Sequence, residues 1–460
     1  MNCFDTIAAI STPRGKGGVA LIRISGEDAI NVAGKIFSVA LSDVESRRAI
    51  YGHIYLPDAD GGRTRIDDGI ATVFRAPSSF TGEDTVEICC HGGVLVTETV
   101  LAACFAAGAR AATAGEFTRR AFINGKLGLD SSESLGALLE AKTFEQMRLA
   151  SSGIRGKLSE KSEEIYESLL AVCTELRAGI DFPEEDLTLM SDTELRERLA
   201  LSLADTKALS KTYTTGRAVA EGIPTVICGR TNSGKSSLYN MILGHDAAIV
   251  TDIEGTTRDV LRDTASFGGV TLNLADTAGL RETDDPVERI GIDRAYGALE
   301  GAELILAVID SSSAVTDDDR VYFEKIAGFH GYKIAVLNKN DLPTREESRS
   351  LTRGFDVTVS LSAKTGEGSG ALADAISSAF VDGTLDLSRD AVVVNERQYG
   401  ALVAAAGHLE RAISALDAGY ETELVCSDVE SAMQSLAEIG GRSVSEDVIG
   451  GIFSKFCVGK

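Results

Sequence analysis

The chain has 460 residues, more than one compact core usually holds, and a length of roughly 150 residues per domain predicts about three domains. Its 44% of hydrophobic and 25% of charged residues exclude a disordered or a fibrous protein. The formal net charge of -24 argues against strong nucleic-acid binding by this chain alone, because such binding depends on cationic side chains that displace counterions from phosphates.

The apolar runs of the sequence are short. The longest, such as residues 304–309, are far below the roughly 20 residues that span a bilayer, so no membrane protein is predicted. Residues 1–5 lack the basic and apolar regions of a signal peptide, and we therefore expect a cytoplasmic protein. The 8 cysteines show no C-x-x-C pair or metal-ligand spacing, so most are predicted to be small buried side chains.

Hydrophobic periodicity divides the chain into four segments. Residues 1–120 alternate short strand-like runs with glycine-rich turns and one helical stretch after residue 93, which predicts an α+β domain. Residues 121–220 and 384–460 carry apolar side chains at helical spacing. Residues 221–383 alternate strands and helices as a mostly parallel α/β sheet requires. We therefore predict an all-α domain, formed by the second and fourth segments, that is interrupted by an inserted α/β domain whose two ends lie close together.

The inserted segment begins with a phosphate-binding motif. Residues 225–228 form a short predicted strand, and residues 229–236 then read G-x-x-x-x-G-K-S, followed by a helical pattern. In such a loop the backbone N–H groups surround the phosphates of a nucleotide. Lys235 is predicted to reach the β- and γ-phosphates and the Ser236 hydroxyl to bind Mg²⁺. The remaining predicted contacts of the loop are Asn232, Ser233, Gly234 and Ser237.

Four further elements follow in the order typical of a GTP-hydrolysing enzyme. A switch candidate at residues 255–259 contains Thr257, which would complete the Mg²⁺ shell. A D-x-x-G element, an N-K-x-D element and an S-A-K element each stand at the end of a predicted strand. The carboxylate of N-K-x-D accepts two N–H bonds from guanine, and adenine offers no such pair. Their residues are Asp276, Thr277, Ala278 and Gly279, then Asn338, Lys339, Asn340 and Asp341, then Ser362, Ala363 and Lys364.

The predicted hydrolysis mechanism departs from the common one. Many GTPases place a glutamine just after the D-x-x-G glycine to orient water, but this chain has Leu280 there. Either the switch is slow, or it uses another catalytic arrangement. Asn232 resembles the asparagine by which potassium-dependent GTPases bind the cation, which favours the second interpretation. The loop that would supply further K⁺ ligands contains Thr251, Asp252, Ile253, Glu254, Gly255 and Thr256, with Thr251, Ile253 and Thr256 as the predicted ligands.

Motifs outside the α/β segment identify the family. They lie at residues 5–9, 13–18, 21–26, 80–84, 91–93, 115–118, 120–126, 181–185, 395–397 and 452–460, the last ending in Cys457-Val458-Gly459-Lys460. Along nearly its whole length the chain resembles the MnmE (TrmE) family of tRNA-modification GTPases. The resemblance implies an α+β N-terminal domain that binds tetrahydrofolate and forms a homodimer, an all-α helical domain, and an inserted P-loop G domain of the Ras-like fold.

The resemblance also implies an activity. Together with an MnmG-type partner, which uses FAD and NADH and is expected to form a heterotetramer, the family modifies C5 of the tRNA wobble uridine. An aminomethyl or carboxymethylaminomethyl group is built there with a one-carbon unit from methylene-tetrahydrofolate, and a 5-formyl derivative is a second folate expected to bind. GTP hydrolysis, in the presence of Mg²⁺ and K⁺, drives a conformational cycle through association of the two G domains of the dimer.

Several residue roles come from the resemblance alone. It implies that Glu288 orients the attacking water through a second water. It places folate contacts at Arg23, Glu87, Lys126 and Lys460, with Glu83 as the nearby alternative to Glu87. It assigns Cys457 to the uridine chemistry or to its support. The residues taken alone are also consistent with solvated surface charges at Arg23 and Lys126 and with an incidental thiol at Cys457.

Two other function classes share the G-domain motifs. A ribosome-assembly GTPase acts as a binding switch, but it usually adds a basic RNA-binding module or a second G domain, whereas this sequence has one P-loop motif and an acidic balance. A membrane-remodelling GTPase would need a basic amphipathic helix, and none stands out. Folate binding by the N-terminal domain separates the tRNA-modification hypothesis from both.

Overall fold

The computed structural model of the protein describes residues 5–58, 60, 62–182, 190–245, 262–275 and 297–459. They divide into two compact units. The first contains the residues up to Gly136 together with those from Gly440 onward, and the second contains the residues between them. The chain therefore leaves the first unit once and returns to it at its C-terminal end. Within the described residues, no helix has the length and apolar character that crossing a membrane requires.

The first unit is built on a mainly antiparallel sheet with the strand order β3-β4-β5-β2-β1-β6. The pairing of β1 with β6 is parallel. Alternate residues of β2 face the helices α1 and α2, whose apolar side chains cover one side of the sheet. The elements are β1 Ile7–Ile10, β2 Val19–Ser25, α1 Ala29–Ile36, β3 Ala49–Pro57, β4 Arg63–Phe74, β5 Thr85–His91, α2 Val94–Ala106, β6 Arg110–Ala111, α3 Glu116–Ile123, α4 Leu129–Glu140 (which continues into the second unit) and α14 Glu446–Phe453.

The prediction of one helical stretch within residues 1–120 was incomplete. The structure has α2 at the predicted place, and it adds α1 and the beginning of α3. Each added helix has 8 residues, about two turns, which is too short to establish a periodicity in the sequence. Helix α1 also contains Val32 and Gly34, residue types with low intrinsic helix propensity. Packing of its apolar face on the sheet determines its conformation.

A buried network of ions joins the N-terminal residues to α3. The guanidinium of Arg120, only 4% exposed, donates to Asp5 Oδ1 at 2.8 Å, to Glu116 Oε1 at 3.0 Å and to Glu83 Oε2 at 3.1 Å. Arg110 donates to Glu116 Oε2 at 2.9 Å and to Asp5 Oδ2 at 2.5 Å. Burial alone would raise the pKa of the Glu116 carboxyl, but hydrogen bonds from Arg110, the Thr113 backbone and Arg120 outweigh it and lower that pKa to about 2.

We expect Glu116→Gln to destabilise the first unit at neutral pH and to matter progressively less in acid. Because the folded-state pKa of Glu116 lies below its ordinary value of 4.5, the ionised carboxylate stabilises the fold above that pH. This contribution is lost as the pH falls from about 4.5 to about 2. Hydrogen exchange of the sheet amides, read by mass spectrometry across that range, measures it. The exposed Glu27→Gln is the control, and equal protection of wild type and Glu116→Gln at pH 7 would contradict the expectation.

The second unit contains a sheet with the strand order β12-β11-β10-β7-β9-β8. Its pairings are parallel except for the hairpin of β8 and β9. Strand β10 is buried on both faces, since alternate residues belong to two different apolar clusters, and this explains its uninterrupted apolar run. The elements are α8 Tyr213–Ala220, β7 Ile223–Cys228, α9 Lys235–His245, β8 Arg262–Phe267, β9 Val270–Ala275, β10 Leu304–Asp310, α10 Asp317–Ala327, β11 Tyr332–Asn338, a 3-10 turn Glu346–Thr352, β12 Val357–Ser360 and α11 Ser369–Phe380.

Helices from before and after the α/β segment form one apolar cluster. It includes Leu169 and Leu176 from the earlier part and Leu402 and Leu436 from the later part, all nearly or fully buried. Leu170, which shares the predicted periodicity, is 39% exposed and lies on the outer face. The helices of this cluster are α6 Lys157–Asp181, α7 Asp192–Lys211, α12 Glu396–Asp417 and α13 Thr422–Gly440. Helix α5 Phe144–Ile154 instead packs Leu149 into the apolar cluster of the α/β sheet.

The two ends of the α/β segment lie side by side, as an insertion requires. Val393 N donates to Thr212 Oγ1 at 3.0 Å, and Asp382 N donates to Thr215 Oγ1 at 2.8 Å. A Cβ at Gly216 would overlap the carbonyl oxygen of Val393, so the two backbones touch at this position. The predicted fold class, with α+β, all-α and α/β parts, is confirmed.

Candidate functional site

The loop after β7 lies at the topological switch point of the sheet, where the neighbouring strands continue on opposite sides of β7. Strand β7 stands between β9 and β10, and in open α/β sheets ligands bind at such a point, beyond the carboxyl ends of the strands. The loop bends through three residues with positive φ, Gly229 at 146°, Asn232 at 62° and Gly234 at 99°. Helix α9 begins directly after it, so its N-terminal amides face the loop. This is the geometry of a phosphate-binding loop.

Lys235 extends across that loop. Its ammonium donates to the carbonyl oxygens of Gly229 and Arg230, both at 2.8 Å. Burial lowers the pKa of this ammonium, because a desolvated cation is less favourable. Gly229 N donates to the hydroxyl of Tyr322 at 3.2 Å, which fixes the first residue of the loop. The cation therefore lies where the phosphates of a bound nucleotide would need a positive partner.

Asn338 connects three loops of the site. Its Nδ2 donates to Ser233 O in the phosphate-binding loop at 2.8 Å, and its Oδ1 accepts from Ala363 N at 2.9 Å. The side chain is 2% exposed, so both bonds form away from solvent. Through this amide, the N-K-x-D and S-A-K elements hold the phosphate-binding loop in place.

The carboxylate of the N-K-x-D element is held by the loop that follows β12. Ser362 Oγ donates to Asp341 Oδ1 at 2.7 Å, and Asn340 N donates to Leu361 O at 3.2 Å. The Ser362 hydrogen bond, more than any other interaction, lowers the pKa of Asp341, so its exposed carboxylate is ionised at neutral pH. An ionised acceptor in this position suits the paired N–H groups of guanine.

We expect Gly234→Ala to abolish nucleotide binding. A Cβ at this position would overlap Asn338 Nδ2, and the φ of 99° is unfavourable for any L-residue with a side chain. Both effects would displace Asn338 and the phosphate-binding loop. Fluorescence titration with a labelled guanine nucleotide measures the loss. Gly244→Ala, in α9 with open space around its Cβ, is the matched control and should bind as wild type does. Unchanged affinity in Gly234→Ala would show that the loop does not need this close approach.

A second group of predicted residues lies in the first unit. Arg23 on β2 and Glu87 on β5 stand directly opposite in the antiparallel register, with Arg23 Nε 2.9 Å from Glu87 Oε1. The guanidinium also lies over the rings of Phe80 and Phe117, 5.1 Å and 5.6 Å from their centroids. Glu83 is engaged elsewhere, since it accepts from Ser25 Oγ at 2.8 Å and from Arg120. Arg23 and Glu87 thus form a partly exposed ion pair, and the guanidinium of Arg23 packs on two aromatic rings.

The loop of residues 77–82 lies between Arg23 and Lys126. Phe80 packs under Arg23, while Lys126 donates to Pro77 O at 3.0 Å. The C-terminal segment also belongs to this unit. Val458 bridges Ala114, and Ser11 Oγ donates to Gly459 O at 3.0 Å, which leaves the Cys457 thiol exposed.

Comparison with known proteins identifies the family. The family model described as the N-terminus of the GTP-binding protein TrmE matches residues 6–126, and the MnmE helical domain model matches residues 129–457. The chain belongs to the MnmE family of tRNA modification GTPases. It is therefore a GTPase, as its nucleotide motifs predicted, and the predicted family is confirmed.

Individual relatives match over their full length. The tRNA modification GTPase MnmE of Symbiobacterium thermophilum is 42% identical over 462 residues, covering 99% of both chains. The protein of the same name from Geobacillus kaustophilus is 40% identical over 468 residues, covering 100% of both. Among solved structures, a single-residue variant of Aquifex aeolicus Era bound to GDP.AlF4- is 22% identical, with a TM-score of 0.29, and the match covers 40% of this chain and 65% of that chain. A similarity this low supports no argument about the site.

The structure brings together one part of the predicted site residues. Asn232 to Ser237, Asn338 to Asp341 and Ser362 to Lys364 converge at the carboxyl edge of the α/β sheet. Other predicted residues lie outside the described part of the chain, and their roles stay predictions. They are Thr251, Asp252, Ile253, Glu254, Gly255, Thr256, Thr257, Asp276, Thr277, Ala278, Gly279, Glu288 and Lys460.

Sequence reasoning missed two residues that support the nucleotide site. Asp310, the last residue of β10, accepts from Lys339 Nζ at 2.6 Å. Burial would raise the pKa of Asp310, but bonds from Lys339, Ser312 and Ser313 lower it to about 2. Tyr322 on α10 contacts the first loop residue. The position of Asp310 at a strand end was a usable signal, whereas Tyr322 belongs to a helical pattern that carries no motif.

Proposed function

We propose that this protein is a potassium-activated GTPase that, with an MnmG-type FAD protein, modifies C5 of the tRNA wobble uridine. The main support for the proposal is the Asn338 side chain. Its amide joins the phosphate-binding loop to the N-K-x-D and S-A-K elements, which would recognise guanine. The family match over residues 6–457 favours this function over a ribosome-assembly switch. An aminomethyl or carboxymethylaminomethyl group would be built at C5, with its one-carbon unit supplied by methylene-tetrahydrofolate.

The nucleotide would lie along the carboxyl edge of the α/β sheet. Its guanine would donate to the Asp341 carboxylate, and its phosphates would accept from the loop amides and from Lys235. Ser236, exposed at the start of α9, and Thr257 are the proposed Mg²⁺ ligands, and Mg²⁺ would neutralise charge on the β- and γ-phosphates. Asp276 would orient the metal through water. These residues bind and align GTP without forming a covalent intermediate.

Asn232 is the proposed K⁺ ligand within the described residues. It is exposed, and its backbone adopts the left-handed conformation. A potassium ion held there with Thr251, Ile253 and Thr256 would supply positive charge between the β- and γ-phosphates, in the place of an arginine finger. Glu288 would orient the attacking water. Leu280 cannot, because its side chain has no polar atom.

The first unit is the proposed folate-binding and dimerisation domain. Arg23 and Lys126 offer cations for the glutamate carboxylates of a tetrahydrofolate, and Glu87 offers a carboxylate for the polar edge of the pterin. The engagement of Glu83 in the buried network supports Glu87 as the contact. Lys460 completes the proposed set. Cys457, exposed in the same unit, is the proposed thiol in the uridine chemistry.

Organisation and partners complete the proposal. From the sequence we propose a folate-binding domain of residues 1–120, a helical domain of residues 121–220 and 384–460, and a G domain of residues 221–383. The helical segments up to Gly136 and from Gly440 onward belong to the same compact unit as residues 1–120, so Lys126 and Cys457 would serve the folate-binding domain from the helical segments. Two copies would form a homodimer, and two MnmG-type chains would complete a heterotetramer acting on tRNA in the cytoplasm. The formal net charge of -24 suits a chain whose partner makes most of the contacts with RNA.

GTP hydrolysis by the purified chain should be weak in Na⁺ and strongly stimulated in matched K⁺ buffer. Stimulation should disappear in Asn232→Ala, because the proposed cation loses a ligand, and hydrolysis should fall by at least tenfold in Glu288→Ala. Phosphate release measured in the two salts tests both. Asn232→Gly removes the same oxygen without strain at a φ of 62°, and it should behave like Asn232→Ala.

Asn240→Ala, an exposed position on α9, is the control and should keep full K⁺ stimulation. Equal rates of hydrolysis in K⁺ and Na⁺ by the wild-type protein would contradict potassium activation.

Lys126→Gln should weaken binding of 5-formyl-tetrahydrofolate by at least tenfold, because a charge-assisted bond to a ligand carboxylate is lost. Titration calorimetry of the full chain measures it. Lys35→Gln is the matched control, since Lys35 also donates to a backbone oxygen, that of Ala107 at 2.9 Å, but is not proposed to touch folate. Equal affinities in the two variants would remove Lys126 from the folate site.

A further inference from the structure

We propose that Cys173, Cys426 and Glu430 form a binding site for a zinc-class transition-metal ion. Cys173 lies on α6, and the other two residues lie on α13. The two sulfurs are 3.9 Å apart, and Glu430 Oε1 is 3.6 Å from Cys173 Sγ and 3.7 Å from Cys426 Sγ. These ligand atoms form the one such cluster found in the described part of the chain. The site is separate from the nucleotide and folate sites, and it does not depend on the proposed function.

The three distances match an open tetrahedral site. Two thiolates at about 2.3 Å from a tetrahedral zinc ion stand about 3.8 Å apart. A thiolate and a carboxylate oxygen at about 2.1 Å from the same ion stand about 3.6 Å apart. The observed separations of 3.9, 3.6 and 3.7 Å agree with these values within about 0.2 Å. The three separations are therefore compatible with one tetrahedral ion bound by all three ligand atoms.

The cluster is buried at its thiols and open to solvent at its carboxylate. Cys173 and Cys426 are 7% and 3% exposed, whereas the Glu430 side chain is 40% exposed and leaves a path to solvent. Arg177 Nε donates to Glu430 Oε1 at 2.8 Å and orients the carboxylate from outside. Two thiolates and one carboxylate carry three negative charges, which the divalent ion and Arg177 together balance.

The ligand types select the ion. Thiolate sulfur prefers zinc and other soft ions over Mg²⁺ and Ca²⁺, which prefer oxygen ligands. Binding releases one proton from each thiol to solvent, so the affinity should rise with pH. With three protein ligands and one water, the site has the composition of an open zinc centre rather than of a closed structural one.

The position of the site links the two halves of the helical cluster. Cys173 and Cys426 are 253 residues apart in the sequence, with the whole α/β segment between them. Sequence spacing could not indicate such a site, because the pattern of a metal motif requires ligands that are close along the chain. A bound ion would join α6 to α13 across the insertion.

The test is zinc binding by the full-length chain under reducing conditions, with excess Mg²⁺ present to occupy the nucleotide site. The wild-type protein should bind one zinc ion per chain, and Cys173→Ser and Cys426→Ser should lose it. Co²⁺ should give a thiolate-to-cobalt absorption band in the wild-type protein that is absent from both variants. Glu430→Gln keeps both thiols and the side-chain shape, and it should bind zinc at least tenfold more weakly.

Cys89→Ser, which removes a thiol from the sheet of the first unit, is the control and should retain the zinc ion. Zinc should raise the melting temperature of the wild-type protein and of Cys89→Ser, and not that of Cys173→Ser. The proposal is overturned by equal zinc content in wild type and Cys173→Ser, by equal affinity in wild type and Glu430→Gln, or by a Cys173–Cys426 disulfide that persists under reduction.

Discussion

The amide of Asn338 bonds to the phosphate-binding loop through its nitrogen and to the loop after β12 through its oxygen. Because donor and acceptor are both used and both buried, no other side chain of similar size could replace it without leaving a polar group unpaired. Gly234 permits the close approach, since any Cβ there would overlap the amide. The N-K-x-D, S-A-K and phosphate-binding loops are therefore not independent, because Asn338 contacts all three and would transmit a displacement of one loop to the others.

The phosphate-binding loop and the order of the nucleotide motifs could be predicted from the sequence because their determinants are local. A strand, a glycine-rich loop and a helix follow one another within residues 223–245, and in the described residues the N-K-x-D and S-A-K elements follow the strands β11 and β12. Tyr322 was not predicted, because its hydrogen bond to Gly229 arises from the tertiary packing of α10 against the loop. Helices α1 and α3 were not predicted, because two helical turns carry too little hydrophobic periodicity.

Apolar spacing correctly predicted helical structure after residue 384. It could not show that residues from Gly440 onward pack with the first unit, since periodicity identifies the buried face of a helix and not the element that it packs against.

The entry and the exit of the α/β segment are held together by side-chain contacts. Thr212 and Thr215 accept hydrogen bonds from the returning chain, and Tyr213 stacks on Tyr399 with a centroid distance of 4.5 Å and an interplanar angle of 16°. Nearby, Arg217 donates to Glu303 Oε1 at 2.8 Å. The start of α8 and the start of α12 are thereby fixed to each other. Movement of the α/β segment at this junction would therefore act on the starts of both helices.

The return of the C-terminal segment to the first unit has a consequence for biosynthesis. Gly115 can carry no side chain, because a Cβ would overlap Phe453 O, and Gly459 is packed in the same way against Ile10 O. Phe453 and Leu129 share a buried cluster. A ribosome releases the chain from its N-terminus, so the α+β sheet can form early, but its packing against residues 453–459 has to wait until those residues have been translated. A product truncated before residue 453 would lack these contacts, and the first unit would stay incompletely packed.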